Sequence, residues 1–166
     1  ASRSAWGRIC PSTLYWHGVQ STGCTLRQLR QQAAPAKCAL MLHSLCMPET
    51  RQESTYYLSP GRFRQLMDRF CASGYRTVTT TQWMSDEVPR KHALLTFDDG
   101  YDDLYTELLP WLQRHNFTAL VFLVADHIGG TNLWYQKRGL RARQLLTITQ
   151  IREMQRCGVE FGSHTL

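Results

Sequence analysis

Ahead of Glu49 the 166-residue chain has no Asp or Glu at all. Arg3, Arg8, Arg27, Arg30 and Lys37 give that stretch nearly all of the net charge of +6, and the rest of the chain is close to neutral. Nucleic-acid binding needs basic groups clustered on one face and interleaved with aromatics. Here they are scattered among Ser, Gln and Ala, which predicts a solvated basic extension over residues 1–37 and no nucleic-acid partner. Its Arg-rich, acid-poor make-up also resembles a targeting segment. Long apolar runs are missing too: none approaches the roughly 20 residues that cross a bilayer, so no transmembrane segment is expected. Ala1 to Trp6 lack an initiating Met and the apolar core of a secretory signal, which suggests a fragment or a processed product. No Cys-x-x-Cys pair occurs among Cys10, Cys24, Cys38, Cys46, Cys71 and Cys157, and the wide spacings argue against a disulfide scaffold. Cys71 and Cys157 read as small buried apolar residues. Cys38, His43 and Cys46 lack a suitably spaced fourth ligand for a zinc cluster. No internal repeat is visible. Against these absences, contents of 43% hydrophobic and 11% aromatic residues are globular values. The length suffices for one ordinary core.

What is present alternates between strand and helix patterns. Residues 39–43 read as a strand, followed by a polar loop over 51–54. Ser59 with Pro60 at the first helical position starts a helix whose Phe63, Leu66, Met67 and Phe70 share one face, and Gly74 ends it. Residues 75–80 and 93–97 read as strands. Residues 102–115 read as helical, with Pro110 expected to break or restart the helix. The continuously apolar run 117–124 is the pattern of a strand covered on both faces. Thr147-Ile148-Thr149-Gln150 is a capping box for a helix to Arg156, with Gly158 beyond its end. The order predicts an α/β fold with a largely parallel sheet.

The strand over 93–97 runs into Asp98-Asp99-Gly100-Tyr101. Two acids where a buried strand emerges lie at the carboxyl edge of a sheet, where α/β proteins gather ligands and catalytic groups. Adjacent buried carboxylates repel one another and are costly to desolvate, so a divalent metal or a basic partner is expected beside them. Helix capping accounts for one of these acids, and Asp102, Asp103 and Glu107 already make the next segment's start acidic. A calcium loop of the EF-hand kind is excluded, because Gly100 stands in the wrong place. Near the other end, Val159 to Leu166 is a second strand-like run containing Gly162-Ser163-His164-Thr165. Imidazole nitrogen with carboxylate oxygen suits zinc. Alone, His164 reads as an ordinary strand-end histidine; with Asp98-Asp99 on another strand of one sheet it becomes a ligand candidate.

Thr96 to Tyr101 resembles the first motif of the polysaccharide deacetylases, the carbohydrate esterase family 4 domain shared with chitooligosaccharide deacetylases. Gly162 to Thr165 resembles the opening of that family's second motif, His-Ser/Thr-x-x-His. The flanks agree: residues 41–44 look like the family's first strand, 59–63 through 74–78 its first helix and second strand, 117–124 the strand after the acidic motif, and 128–134 a loop common in the group. The resemblance spans residues 38–166.

It implies the amino-terminal half of a distorted (β/α) barrel, with 38–166 as a partial domain. The second histidine of the second motif would fall at position 168, and the later motifs, with an arginine, further acids and the general-acid histidine, have no counterpart. The implied activity is metal-dependent removal of N-acetyl or O-acetyl groups from a polysaccharide or oligosaccharide, with Zn2+ or another divalent ion such as Co2+ or Ni2+. The implied roles are Asp98 as general base, Asp99 and His164 as metal ligands, and the Tyr101 backbone N–H as a donor to the developing oxyanion. His43, also at a strand end, reads equally as part of the site rim or as a histidine satisfied by backbone partners. Trp134 and Tyr135 are candidates for stacking on sugar rings, whereas Trp111 on its helix reads as core. The implied location is extracytoplasmic or at the cell envelope. The alternative is a catalytically inactive remnant that keeps a carbohydrate-binding or structural role. On either reading, these 166 residues alone are expected to bind zinc weakly and to deacetylate poorly.

Overall fold

Five parallel strands form one sheet: β1 (Cys38–Leu42), β2 (Arg76–Thr77), β3 (His92–Phe97), β4 (Leu120–Val124) and β5 (Glu160–Thr165). The computed structural model that shows them describes residues 38–85 and 90–165, so the basic extension 1–37 lies outside the described residues. The order is β1-β3-β4-β5, with β2 also paired to β3. β3 is central and covered on both sides: Ala93, Leu95 and Phe97 on one face have no exposed surface, and on the other Thr96 is buried and Leu94 partly buried. A strand buried on both faces is the hallmark of a parallel sheet covered by helices. In register, Leu42 lies opposite Phe97 and Phe97 opposite Val121. That alignment brings the carboxyl ends of β1, β3 and β4 to one edge.

The helices bury the faces that their sequence period foretells. α1 (Pro60–Ala72) starts at Ser59, whose side chain accepts from the Arg62 N–H, and packs Phe63 and Met67 fully, Leu66 and Phe70 partly, into the core. Gly74, at φ +80°, turns the chain back into β2. The strand expected over 75–80 is only two residues long. Thr79 accepts from the Gln82 N–H while Gln82 reaches back to the Thr79 N–H, and this capping box starts α2 (Thr80–Met84) instead. Local capping outweighs the β preference of the threonines.

The proline expected to break the helix over 102–115 is absorbed. A π-helical turn, Leu104–Leu108, runs directly into α3 (Leu109–His115), with Pro110 in its first turn. The wider π turn opens the backbone ladder where Pro110 has no N–H to give and its ring crowds the preceding turn. Trp111 is buried in the core, as its helical position implied. The apolar run from 117 pairs as a strand only from Leu120, since Phe117 closes α3 by donating to Leu112 O and Thr118 donates to Thr77 Oγ1. α4 (Ile148–Arg156) has the expected capping box at Thr147 and Gln150 and leads into β5. Cys157 is exposed rather than buried, because it follows the last helical turn and faces outward; Cys71 is half-buried. Among the described residues no helix is long and apolar enough to cross a membrane.

Candidate functional site

Asp98 follows β3 directly, His43 follows β1, and His164 lies near the end of β5. Three strands thus deliver three side chains to one edge of the sheet. Asp98 Oδ2 is 3.6 Å from His164 Nε2 and 4.0 Å from His43 Nε2, and Asp99 Oδ1 is 3.8 Å from His164 Nε2. Asp98 and His43 are each 13% exposed, so both reach the surface of the site without standing free of it. The Asp98 backbone N–H donates to Leu42 O across the sheet. The edge of Tyr56 packs against His43, with ring centres 5.4 Å apart.

Asp99 differs sharply from its neighbour. Its backbone is left-handed at φ +71°, followed by Gly100 at the same angle. Two such residues in succession swing the chain out of β3 and turn the Asp99 carboxylate inward, where one oxygen, Oδ2, is buried without a hydrogen-bond partner. Burial pushes its pKa up to about 6, with Asp98 adding to the rise and His164, Tyr135 and Tyr101 opposing it. Gly100 suits this point, since its backbone is left-handed and a Cβ there would meet the tip of Leu123, Cδ2, at 2.5 Å and have to displace it.

The Tyr101 side chain is wholly buried, so the residue offers no ring to a ligand. Its hydroxyl receives Asn132 Nδ2 at 3.2 Å, and its edge packs on Tyr57. The bridge between Tyr101 and Leu145 is closed by Asp102 N to Gln144 O and Leu146 N to Gly100 O. Those two bonds flank the Tyr101 amide and leave it out of the ladder. Trp134 is half-buried against the Tyr57, Tyr101 and Leu145 cluster, and its ring touches His127 and Tyr135. Tyr135 is buried beside Asp99, a placement its position next to Trp134 in the sequence did not suggest.

A deeper layer escapes motif reading altogether. Asp103 is buried rather than a solvated first-turn acid, and it caps no helix. It accepts from Ser44 Oγ, from the Leu45 N–H at 2.9 Å and from Arg143 Nη2 at 2.9 Å. Burial raises its pKa although all three donors pull it down. Glu53, also fully buried, accepts from Arg141 Nε at 2.7 Å and from the Glu49 N–H at 2.7 Å. Burial alone would raise the Glu53 carboxyl, but Arg141 and the backbone donors hold it below its ordinary value. The only signal in the sequence is the charge itself, at positions that patterning assigns to loops.

Toward a metal, Asp99 and His164 have the right chemistry and spacing to be two donors: a carboxylate oxygen with an unused buried lone pair beside an imidazole nitrogen. They fit as part of a donor set. Among the described residues no group of three or more His, Cys, Asp or Glu side chains is arranged to hold an ion.

A parallel sheet covered by helices, with carboxylates and imidazoles gathered at its carboxyl edge, defines an α/β protein of the (β/α)-barrel class. The sequence model of the polysaccharide deacetylase family matches residues 85–166 of the chain. The chain is 31% identical over 99 residues to YxkH of Bacillus subtilis, a protein named for the polysaccharide deacetylases; the match covers 57% of this chain and 31% of that one. It is 32% identical over 78 residues to the poly-beta-1,6-N-acetyl-D-glucosamine N-deacetylase of Staphylococcus epidermidis, over 46% of this chain and 25% of that one. The chain therefore spans under a third of the length of these curated relatives. Among solved structures it resembles IcaB from Ammonifex degensii, with 27% identity, a TM-score of 0.64, and coverage of 78% of this chain and 52% of that one. It also resembles the Streptococcus pyogenes deacetylase PplD in complex with acetate, with 25% identity, a TM-score of 0.56, and coverage of 77% and 55%.

Proposed function

We propose that the protein is part of a hydrolase that removes acetyl groups from an acetylated polysaccharide, with N-acetylated amino-sugar polymers as the preferred class. The observation that carries this reading is the meeting of Asp98, Asp99 and His164 at the sheet's carboxyl edge, with Asp98 Oδ2 and Asp99 Oδ1 lying 3.6 and 3.8 Å from one imidazole nitrogen. The names of the relatives support it: one acts on poly-beta-1,6-N-acetyl-D-glucosamine, and one solved neighbour holds acetate.

Asp98 is the general base. It is partly exposed and adjacent to both imidazoles, so a water between it and the acyl carbon can surrender its proton to Oδ2. Asp99 and His164 are the residues that would hold a zinc, cobalt or nickel ion. Such an ion, when bound, acidifies water and polarises the acyl oxygen. The Tyr101 amide, left out of its bridge, is the donor to the oxyanion that forms as the acyl carbon becomes tetrahedral. Collapse breaks the carbon–nitrogen bond, and protonation of the nitrogen releases the sugar amine and acetate. His43 sits beside Asp98 at the rim, where it orients that carboxylate toward the incoming water. Half-buried Trp134 offers an apolar ring face to a sugar.

The test divides the two acids in a polypeptide spanning the whole deacetylase domain. Asp98→Asn is expected to keep its metal and to lose at least ~100-fold in acetate release from N-acetylglucosamine oligomers. Asp99→Asn is expected to lose both metal and turnover. Retention of metal by both variants, with only Asp99→Asn inactive, would reverse the roles. Oligosaccharide binding without any acetate release from the wild type would favour a carbohydrate-binding module.

A further inference from the structure

Two arginines, two residues apart, reach into buried carboxylates on different segments. Arg141 grips Glu53, with Nε at 2.7 Å and Nη2 at 3.0 Å, and also pairs with Glu49. Arg143 donates from Nη2 to Asp103 Oδ2 at 2.9 Å and lays its guanidinium 5.5 Å from the centre of the Tyr57 ring. Its backbone N–H donates to Asn132 Oδ1, and its carbonyl accepts from Asn132 N at 3.1 Å. The same segment then meets the acidic turn. Gln144 O accepts from Asp102 N at 3.1 Å, and Leu146 N donates to Gly100 O at 2.8 Å.

Those two bonds fall on the stretch that most needs support. Asp99 and Gly100 both stand at φ +71°. A left-handed non-glycine residue persists only where its surroundings over-determine it. Asp103 is the joint. Through Ser44 and Leu45 it holds the loop that carries His43, and through Arg143 it holds the strap over residues 143–146. A single ion pair therefore links the segments bearing His43, Asp98 and Asp99.

We propose that Arg143 is a positioning residue of this site: by clamping Asp103 it fixes the 143–146 strap against Gly100–Asp102 and so sets the direction of the Asp98 and Asp99 carboxylates. Arg141 does the separate task of pinning the strap's beginning to the loop around Glu53. The kinetic half of the test rests on the hydrolase reading given above; the exchange half does not.

The experiment uses the full-length protein and three variants: Arg143→Gln, Arg143→Gln combined with Asp103→Asn, and Arg143→Lys. The double variant replaces the ion pair by two amides, so it folds even if an uncompensated Asp103 prevents the single variant from doing so. Amide hydrogen exchange at Asp102 and Leu146 is expected to quicken by about tenfold or more in the glutamine variants, with the amides of β3 and β4 as protected as in the wild type. Arg143→Lys, which keeps a cation at Asp103, should restore intermediate protection. With N-acetylglucosamine oligomers, kcat should fall by about tenfold while KM stays within about twofold. Wild-type exchange at Asp102 and Leu146 in the double variant overturns the proposal. So does loss of protection throughout β3 and β4, which would make the pair merely structural, and so does an unchanged kcat in a variant whose strap has loosened. If Asp98→Asn proves fully active, the hydrolase reading fails, and the exchange data still decide whether Arg143 holds the turn.

Discussion

Asp99 combines a left-handed backbone, a buried carboxylate and one oxygen without a partner, three unfavourable features in one residue. The last two are tolerable where a cation is to be bound and costly where none is. That gives a pH signature. With its folded pKa raised to about 6, Asp99 keeps in the native state a proton that the unfolded chain has lost. Its favourable contribution is fully present below pH ~4 and is lost as pH rises through ~6, to an upper limit of about 3 kcal/mol. Asp103, also raised, acts in the same direction, and Glu53, lowered, acts against it. Thermal melts in chelator should therefore fall between pH ~4.5 and ~7.5 in the wild type. Asp99→Asn, neutral at every pH, should flatten most of that decline; an unchanged slope would assign it to another group. Gly100 makes a second residue-scale case. Gly100→Ala sets a Cβ at φ +71° and 2.5 Å from Leu123 Cδ2. A loss of about 1–3 kcal/mol is therefore expected in denaturant titration. Loss of no more than a few tenths would show that the Leu123 tip yields and the turn is not strained.

At the scale of elements, capping boxes decided boundaries more reliably than β preference did. Thr147-x-x-Gln150 was legible in the sequence and is present in full, and it starts the helix that aims β5 and His164 at the site. Thr147→Ala should cost about 1 kcal/mol in thermal or chemical melts, the usual value of an N-cap hydroxyl, and a neutral outcome would mean that α4 is held by packing alone. The same Thr-x-x-Gln signal at Thr79 and Gln82 was readable, yet the run of β-branched residues drew attention to a longer strand. Pro110 misled in the opposite way, because a π turn is a tertiary accommodation that no local pattern announces. The parallel sheet, the core face of α1 and the acidic turn followed from periodicity and punctuation, since burial on one face leaves a period in the sequence. The Asp103–Arg143 and Glu53–Arg141 pairs did not. A buried ion pair between loops depends on distances that only the finished fold sets, and in sequence its members look like ordinary surface charge.

Over the whole molecule, the residues of the candidate site come from strands far apart in sequence and adjacent only because parallel pairing aligns their carboxyl ends. β1 and β5 terminate the sheet among the described residues, each with one strand neighbour. The chain spans about half the length of the solved deacetylases it resembles. If Asp99 and His164 hold an ion as proposed, they are the two donors that the described residues bring to it. A full four-ligand zinc site supplies roughly 10–16 kcal/mol, and half a ligand set forgoes about half of it. The polypeptide of residues 1–166 is thus expected to bind zinc with a Kd of about 1 μM or weaker, and Asp99→Ala should weaken it further. Isothermal titration against a polypeptide extended to the length of the solved neighbours makes the comparison, and the longer chain should bind orders of magnitude more tightly. Tight, stoichiometric zinc on residues 1–166 that survives Asp99→Ala would place the ion elsewhere and remove the reason for burying Asp99 with an unpaired oxygen.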